Sequence, residues 1–398
     1  MGILRLFDGT PSDPELWQQN LRRPDGANLF RVLAVAMVAA FHFWQQSWVG
    51  GGKLDYLLRT GAVWVDGVIM LSAFCLYLPY ANKKMQGAEF GDCKGFYRRR
   101  AIRILPSYYA AVLVSAVVSA IKYGIDRNFW LDLGGHLFLI PTFIPQSYIY
   151  SHSNGALWTV GVLILFYLLF PLLGRLFYRY PVATFGALCL GQVAYSWGWA
   201  LRQQEDAYRM SFNQLPGFFG VIALGFAGAM TLVWLANRQK GRHRGWFFLL
   251  GVVGIWLACQ LLKTMVQAQD STRWQLEYRL PLVLCMTVAL VGFCLAGPLP
   301  LSRMWAWLAG ISYNFYLWHQ WLAVVLKYDL RIPPWQGDTP PNQTGDHRWM
   351  LTYLVLAWVA ALAAAVAATY LVERPAAALW RKKTQQTPAK TWCFTAQT

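Results

Sequence analysis

The chain has 398 residues, 57% of them hydrophobic and 13% charged, with a net charge of +17. Soluble domains carry about 25% charged residues, so an ordinary soluble domain is excluded and the chain falls in the membrane class. The basic excess lies between apolar stretches, where the positive-inside rule accounts for it, and nucleic-acid binding is set aside on that ground.

In chain order, residues 1–26 are polar and contain DGTPSDPE. They read as a cytoplasmic segment with no cleavable signal peptide, and the first apolar span reads as an internal signal-anchor. About 20 mostly apolar residues cross a bilayer. Stretches that qualify are 27–45, 61–81, 103–122, 155–177, 183–201, 214–236, 246–266, 279–297, 304–328 and 350–373. The segment LDLGGHLFLIPTFIP (131–145) is apolar but short and broken by Gly and Pro, so it reads as re-entrant or interfacial. The loop 329–349 carries Trp335 and Trp349, which suit either sugar contacts or an interfacial loop. The tail 377–398 is basic and polar.

Orientation follows from the basic clusters KK (83–84), KGFYRRRAIR (94–103), RQKGRHR (238–244) and RKK (381–383). Placed in the cytoplasm, they put both termini inside. The expected fold is therefore all-α: a polytopic membrane bundle of about ten transmembrane helices over 27–376. The cysteines (Cys75, Cys93, Cys189, Cys259, Cys285, Cys294 and Cys393) lie mostly in apolar spans. They lack zinc or disulfide spacing and read as small buried hydrophobes.

Ionisable residues inside apolar spans are costly and mark either partners or function. LFRVLAVAMVAAFHFW (29–44) holds Arg31 and His42. Eleven helical steps separate them by about 16 Å and return them to nearly one face. Arg31 reads either as snorkelling to headgroups or as a site residue. His42 reads as a packing histidine or as a general base, work its ordinary pKa suits. In FYRRRAIRILPSYY (96–109), Arg100 and Arg103 share a face. Together with Arg99 they are either positive-inside charge or a clamp for a phosphate-bearing ligand. Asp66 in WVDGVIMLSAF needs a partner or a function. His319 in ISYNFYLWHQ is balanced between hydrogen bonding and function. Glu373 beside Arg374 reads as an ion-paired helix end. His136 and His152, near Asn154, are a weak metal signal, and no metal is expected. P-loop, dinucleotide and G-x-S-x-G motifs are absent from the sequence.

Taken in order, these landmarks resemble the acyltransferase 3 family of integral membrane acyltransferases over roughly 27–376. Arg31 and His42 match its arginine–ten residues–histidine motif. VDGVIMLSAF looks like its VD-x-FF-x-x-SGF element and YRRRAIRILPSYY like its R-x-x-R-I-x-P-x-Y element. LWTVGVLILFYLLFP resembles LWSLSVE-x-x-FYL-x-x-P, and ISYNFYLWH and YLVERP resemble its late SY-x-x-YL-x-H and E-x-P elements. The resemblance implies transfer of a short acyl group, often acetyl, from cytoplasmic acyl-CoA. The acceptor would be a hydroxyl or amine of an envelope sugar, lipid-linked molecule or similar compound, reached from the bacterial inner membrane. It makes His42 the essential histidine and Arg31 its motif partner, and it puts Arg100, Arg103 and Arg99 on the CoA side. Asp66 or His319 would orient or charge-balance the imidazole. Direct transfer and an acyl-histidine intermediate both stay open.

Two positions depart from the family pattern. Leu163 stands where the family has glutamate, which leaves an inactive or altered member as one reading. Ala73 replaces the glycine of SGF, a change of one methyl at a close helix contact. A non-catalytic carrier of small envelope molecules is the competing class, since intramembrane Arg, His and Asp also mark substrate paths.

Overall fold

The computed structural model describes residues 7, 13–22, 24–91, 93, 95–200, 210–268 and 270–385. Cys393 and most of the tail read from the sequence lie outside them, as do eleven of the first twelve residues. Every regular element among the described residues is helical. A long helix occupies each predicted span: α1 (Asp25–Ser47), α2 (Trp64–Met85), α3 (Phe96–Tyr123), α4 (Trp158–Arg179), α5 (Pro181–Ala200), α6 (Phe219–Gln239), α7 (Arg244–Gln267), α8 (Ser271–Ala296), α9 (Ser302–Val324) and α10 (His347–Ala368).

Among the described residues, 8 of these stretches are long and apolar enough to cross a membrane; α5 and α9 fall short. Their polar residues explain the shortfall. α5 carries Gln192 and Ser196, and α9 carries Ser312, Asn314 and His319, all of them buried. Such groups are tolerated in hydrocarbon only where protein satisfies them. Gln192 Oε1 accepts from the backbone N–H of Gly220 (2.9 Å) and Val221 (3.2 Å), two orphan donors at the start of α6. The apolar windows containing α7 and α10 are only 28% and 22% buried, so these helices present their flanks to lipid.

Small residues set how closely the helices approach, as expected where lipid competes with side chains for apolar contact. A Cβ on Gly292 of α8 would sit 2.6 Å from the Gly251 nitrogen of α7, and one on Gly254 would sit 2.7 Å from the Ala289 nitrogen. The paired numbers run in opposite directions, so α7 and α8 are antiparallel. Gly225 of α6 meets the Met70 carbonyl of α2, 2.5 Å from the position a Cβ would take.

The segment 131–145 is broken as its composition predicts. A helix at Arg127–Leu137 starts on an N-cap, with Asp126 accepting from Phe129 N–H at 2.7 Å. It gives way to short turns at Pro141–Phe143 and Pro145–Tyr148, where proline denies the chain a donor. The loop 329–349 starts from a π turn (Val325–Asp329) and ends at Asp346, which caps α10 by accepting from Trp349 N–H. Trp349 is buried, with its indole donating to the Pro333 carbonyl at 3.0 Å. Its role is to pin the loop, and the sugar-contact reading does not hold for it.

Candidate functional site

Helices α1, α2, α4 and α9 enclose two cavities at successive levels of the bundle. The first, of about 300 Å³, is lined by Arg31 and Val35 (α1), Ser72 and Cys75 (α2), Arg100 and Arg103 (α3), Thr159, Leu163 and Tyr167 (α4), and Ser312, Tyr313 and Tyr316 (α9). The second, of about 590 Å³, is lined by Val38 and His42 (α1), Asp66 (α2), Trp158 (α4), Arg279 (α8), Tyr316 and Gln320 (α9), and by Tyr148, Ser151 and Asn213 from the connections. Along α1 and α9 the first cavity precedes the second; along α2 and α4 it follows. The helices thus alternate in direction, and the arginine cavity lies toward the end of the bundle that carries the basic clusters.

Arg31 and His42 therefore do not share a chamber. The eleven-residue spacing that returns them to one face also puts about three turns of helix between them. Arg31 Nη2 reaches Cys75 Sγ at 3.7 Å, and a thiol is a weak acceptor. The different depths expected from their spacing hold, and the single chamber expected for them is corrected: Arg31 lines the cavity of the other arginines. Arg100 has its guanidinium carbon 5.7 Å from the Phe96 ring centroid and 6.0 Å from that of Tyr167, and its Nε is buried without a partner. No carboxylate is among the residues lining this cavity. Arg99, which the sequence grouped with Arg100 and Arg103, is exposed and does not line it, whereas Arg31 does.

In the second cavity, His42 Nδ1 lies 3.1 Å from Gln45 Oε1, one turn along α1. An amide oxygen only accepts, so the proton sits on Nδ1 and the Nε2 lone pair is left free. His319 is fully buried, and its Nδ1 donates to the Tyr316 carbonyl at 2.7 Å. Its Nε2 is likewise unprotonated, and it is buried without a partner. The two imidazoles stand with ring centroids 5.2 Å apart. His319 is thus the neighbour of His42 but is not among the residues lining the cavity.

The Asp66 carboxylate accepts from Arg279 Nε at 3.0 Å, and both residues are at most 2% exposed. Arg279 also donates to the Gly217 carbonyl at 2.9 Å and lies 4.5 and 4.6 Å from the ring centroids of Phe212 and Phe218. The expected service of Asp66 to the imidazole is corrected: its charge is held by Arg279, on the wall of the same cavity. Arg279→Met strands a buried carboxylate and is expected to destabilise the fold by about 3–5 kcal/mol. Asp66→Asn in the same chain should recover much of that loss, and thermal melting in detergent checks both.

Glu373 accepts from Asn314 Nδ2 at 2.8 Å and lies within electrostatic reach of Arg103 as well as Arg374, whose guanidinium packs 4.0 Å from the Tyr370 ring centroid. His136 and His152 do not converge. His136 Nε2 is 3.3 Å from Asp132 Oδ1 and its Nδ1 is 3.3 Å from the Tyr108 hydroxyl, whereas His152 stacks on Tyr123. No group of three or more metal-ligating side chains occurs among the described residues.

Sequence reasoning missed Arg279, Tyr316, Thr159 and Lys327. Lys327 is 1% exposed, and its ammonium donates to the Gln46 carbonyl at 2.7 Å. It thereby satisfies an orphan acceptor at the C-terminus of α1, one turn beyond His42, and complements the helix dipole there. Its one available signal was a lysine inside an apolar run.

These features define a polytopic helical protein with a polar site enclosed by its spans. Among known proteins, the family described as an acyltransferase domain matches residues 25–374, and the chain belongs to it. Acyltransferase MdmB of Streptomyces mycarofaciens is 27% identical over 159 residues, covering 38% of this chain and 39% of that protein. The matched part is thus well under half of that relative's length. No solved structure matches the chain significantly.

Proposed function

We propose that this protein transfers a short acyl group, acetyl in the simplest case, from acyl-CoA to a hydroxyl of an envelope carbohydrate or a similar acceptor. The observation that carries the reading is the stacking of two cavities along the bundle. One is lined by Arg31, Arg100 and Arg103 without a carboxylate, and the other holds an imidazole with a free Nε2. Guanidiniums in a low-dielectric cavity favour a phosphate-bearing donor. The positive-inside rule puts that cavity on the cytoplasmic side, where acyl-CoA is made, and both termini with it.

His42 Nε2 takes the proton of the acceptor hydroxyl as its oxygen attacks the thioester carbonyl. The C–O bond forms and the C–S bond breaks. The imidazolium then returns the proton to the departing CoA sulfur. The neutral ring of His319, its centroid 5.2 Å from that of His42, stands beside the imidazolium while it lasts. Family membership supports transfer over the carrier reading, since carriage needs no base with a free lone pair.

Leu163 lines the arginine cavity and is remote from the base. The departure at Leu163 therefore changes the lining of the arginine cavity and leaves the proton acceptor in place, so the protein is expected to turn over as it stands. Leu163→Glu should shift KM for the donor and leave kcat within about threefold, because it alters binding rather than chemistry. Activity that appears only in Leu163→Glu would mean the native site is dormant. The reading itself is tested by CoA release from purified protein in liposomes. Release should depend on a hydroxylated envelope acceptor, and saturable acyl-CoA binding without any acceptor-dependent release would count against it.

A further inference from the structure

Tyr316 is common to the linings of both cavities. It is only 8% exposed, so the two cavities meet across its ring. Its hydroxyl lies 2.6 Å from Thr159 Oγ1 on α4. Thr159 spends its own proton on the Ala156 carbonyl at 2.9 Å, so Tyr316 is the donor in that short bond. Thr159 lines the arginine cavity and Ala156 the histidine cavity, which places the bond on the border between them. The neighbouring peptide is held as well, because Asn154 Nδ2 donates to the Leu317 carbonyl at 2.7 Å. The Tyr316 carbonyl in turn receives the Nδ1 proton of His319. One residue therefore stands between the cavities and sets the tautomer of the histidine behind His42.

We propose that the Tyr316–Thr159 hydrogen bond is a partition between a donor cavity and an acceptor cavity, and that Tyr316 must turn aside for an acyl group to reach His42. This rests on the acyl-transfer reading for the identity of the two occupants. The barrier itself is a property of the fold. A closed partition keeps water in the histidine cavity away from a thioester among the arginines. An open one brings the carbonyl within reach of the base. The ring packs beside His319, with centroids 5.3 Å apart, and its only polar tie is one neutral hydrogen bond, worth about 1 kcal/mol net.

Cys75 gives a readout that needs no substrate, since it lines the arginine cavity alone. The full chain is reconstituted in liposomes. A small anionic methanethiosulfonate is then applied from the side onto which the histidine cavity opens, and modification is read by mass mapping of the peptide bearing Cys75. Wild type should label slowly. Tyr316→Phe, which removes only the bond, and Thr159→Val, which removes it together with the Thr159 bond to the Ala156 carbonyl, should label about fivefold faster. Tyr316→Ala should label at least about tenfold faster and should release CoA from acyl-CoA without acceptor. Melting temperatures confirm folding, and the two mild variants keep the test alive if Tyr316→Ala fails to fold. Equal labelling rates in wild type and all folded variants, whether fast or slow, would overturn the partition. The expected labelling pattern with no CoA turnover in any protein would overturn the acyl-transfer reading and leave the partition standing.

Discussion

His42→Ala is expected to lower acyl transfer by about 10²–10⁴-fold, the usual contribution of a positioned general base. Folding and acyl-CoA binding should be retained. The expectation follows from geometry: Gln45 holds the Nδ1 proton and leaves Nε2 as the free acceptor in the larger cavity. His42→Gln keeps a hydrogen-bonding side chain without a comparable base and should be nearly as impaired. His319→Ala should cost less than His42→Ala, because His319 acts through its neighbour at 5.2 Å between ring centroids and does not line the cavity. A pre-steady-state measurement of CoA release separates loss of chemistry from loss of binding. Turnover near wild type in His42→Ala would remove the base from the account.

Arg100→Ala combined with Arg103→Ala should raise KM for acyl-CoA by about 10²-fold or more while kcat changes little, the pattern of lost uniform binding. Hydrogen bonds to charged groups contribute about 1.5–3 kcal/mol each, and two guanidiniums are removed. Arg31→Ala should add to that effect, since it lines the same cavity, and should leave the chemistry at His42 intact. Arg99→Ala, on an exposed side chain outside the cavity, should be nearly silent. Initial rates over a range of acyl-CoA concentrations at fixed acceptor give the split. A fall in kcat for Arg31→Ala, with KM unmoved, would return that arginine to the histidine.

The spans were legible because twenty apolar residues have few uses other than crossing a bilayer. Even α5 and α9, whose polar residues depress their hydropathy, stood out as apolar runs between basic clusters. His42, His319, Asp66, Arg100 and Arg103 were legible because an ionisable side chain in such a run is costly and needs a reason. Their partners were not. Asp66 and Arg279 are 213 residues apart, and no local pattern links them. Arg279 stood at the first position of a predicted span, where an arginine reads as a boundary charge. Tyr316 is one aromatic in a chain that is 16% aromatic, and only the position of its ring between two cavities distinguishes it. The Arg31–His42 pair misled for a related reason. Spacing along a helix reports the face correctly but does not tell whether one cavity or two lie along that face.

The most direct test of the central claim is a sided transfer experiment with the purified protein in sealed liposomes of known orientation. Labelled acetyl-CoA is supplied only on the side of the arginine cavity and an envelope-glycan acceptor only on the side of the histidine cavity, with His42→Ala in parallel. The account predicts label on the acceptor across the membrane, lost in His42→Ala. Label that appears only when donor and acceptor share a side, or that persists in His42→Ala, would contradict it.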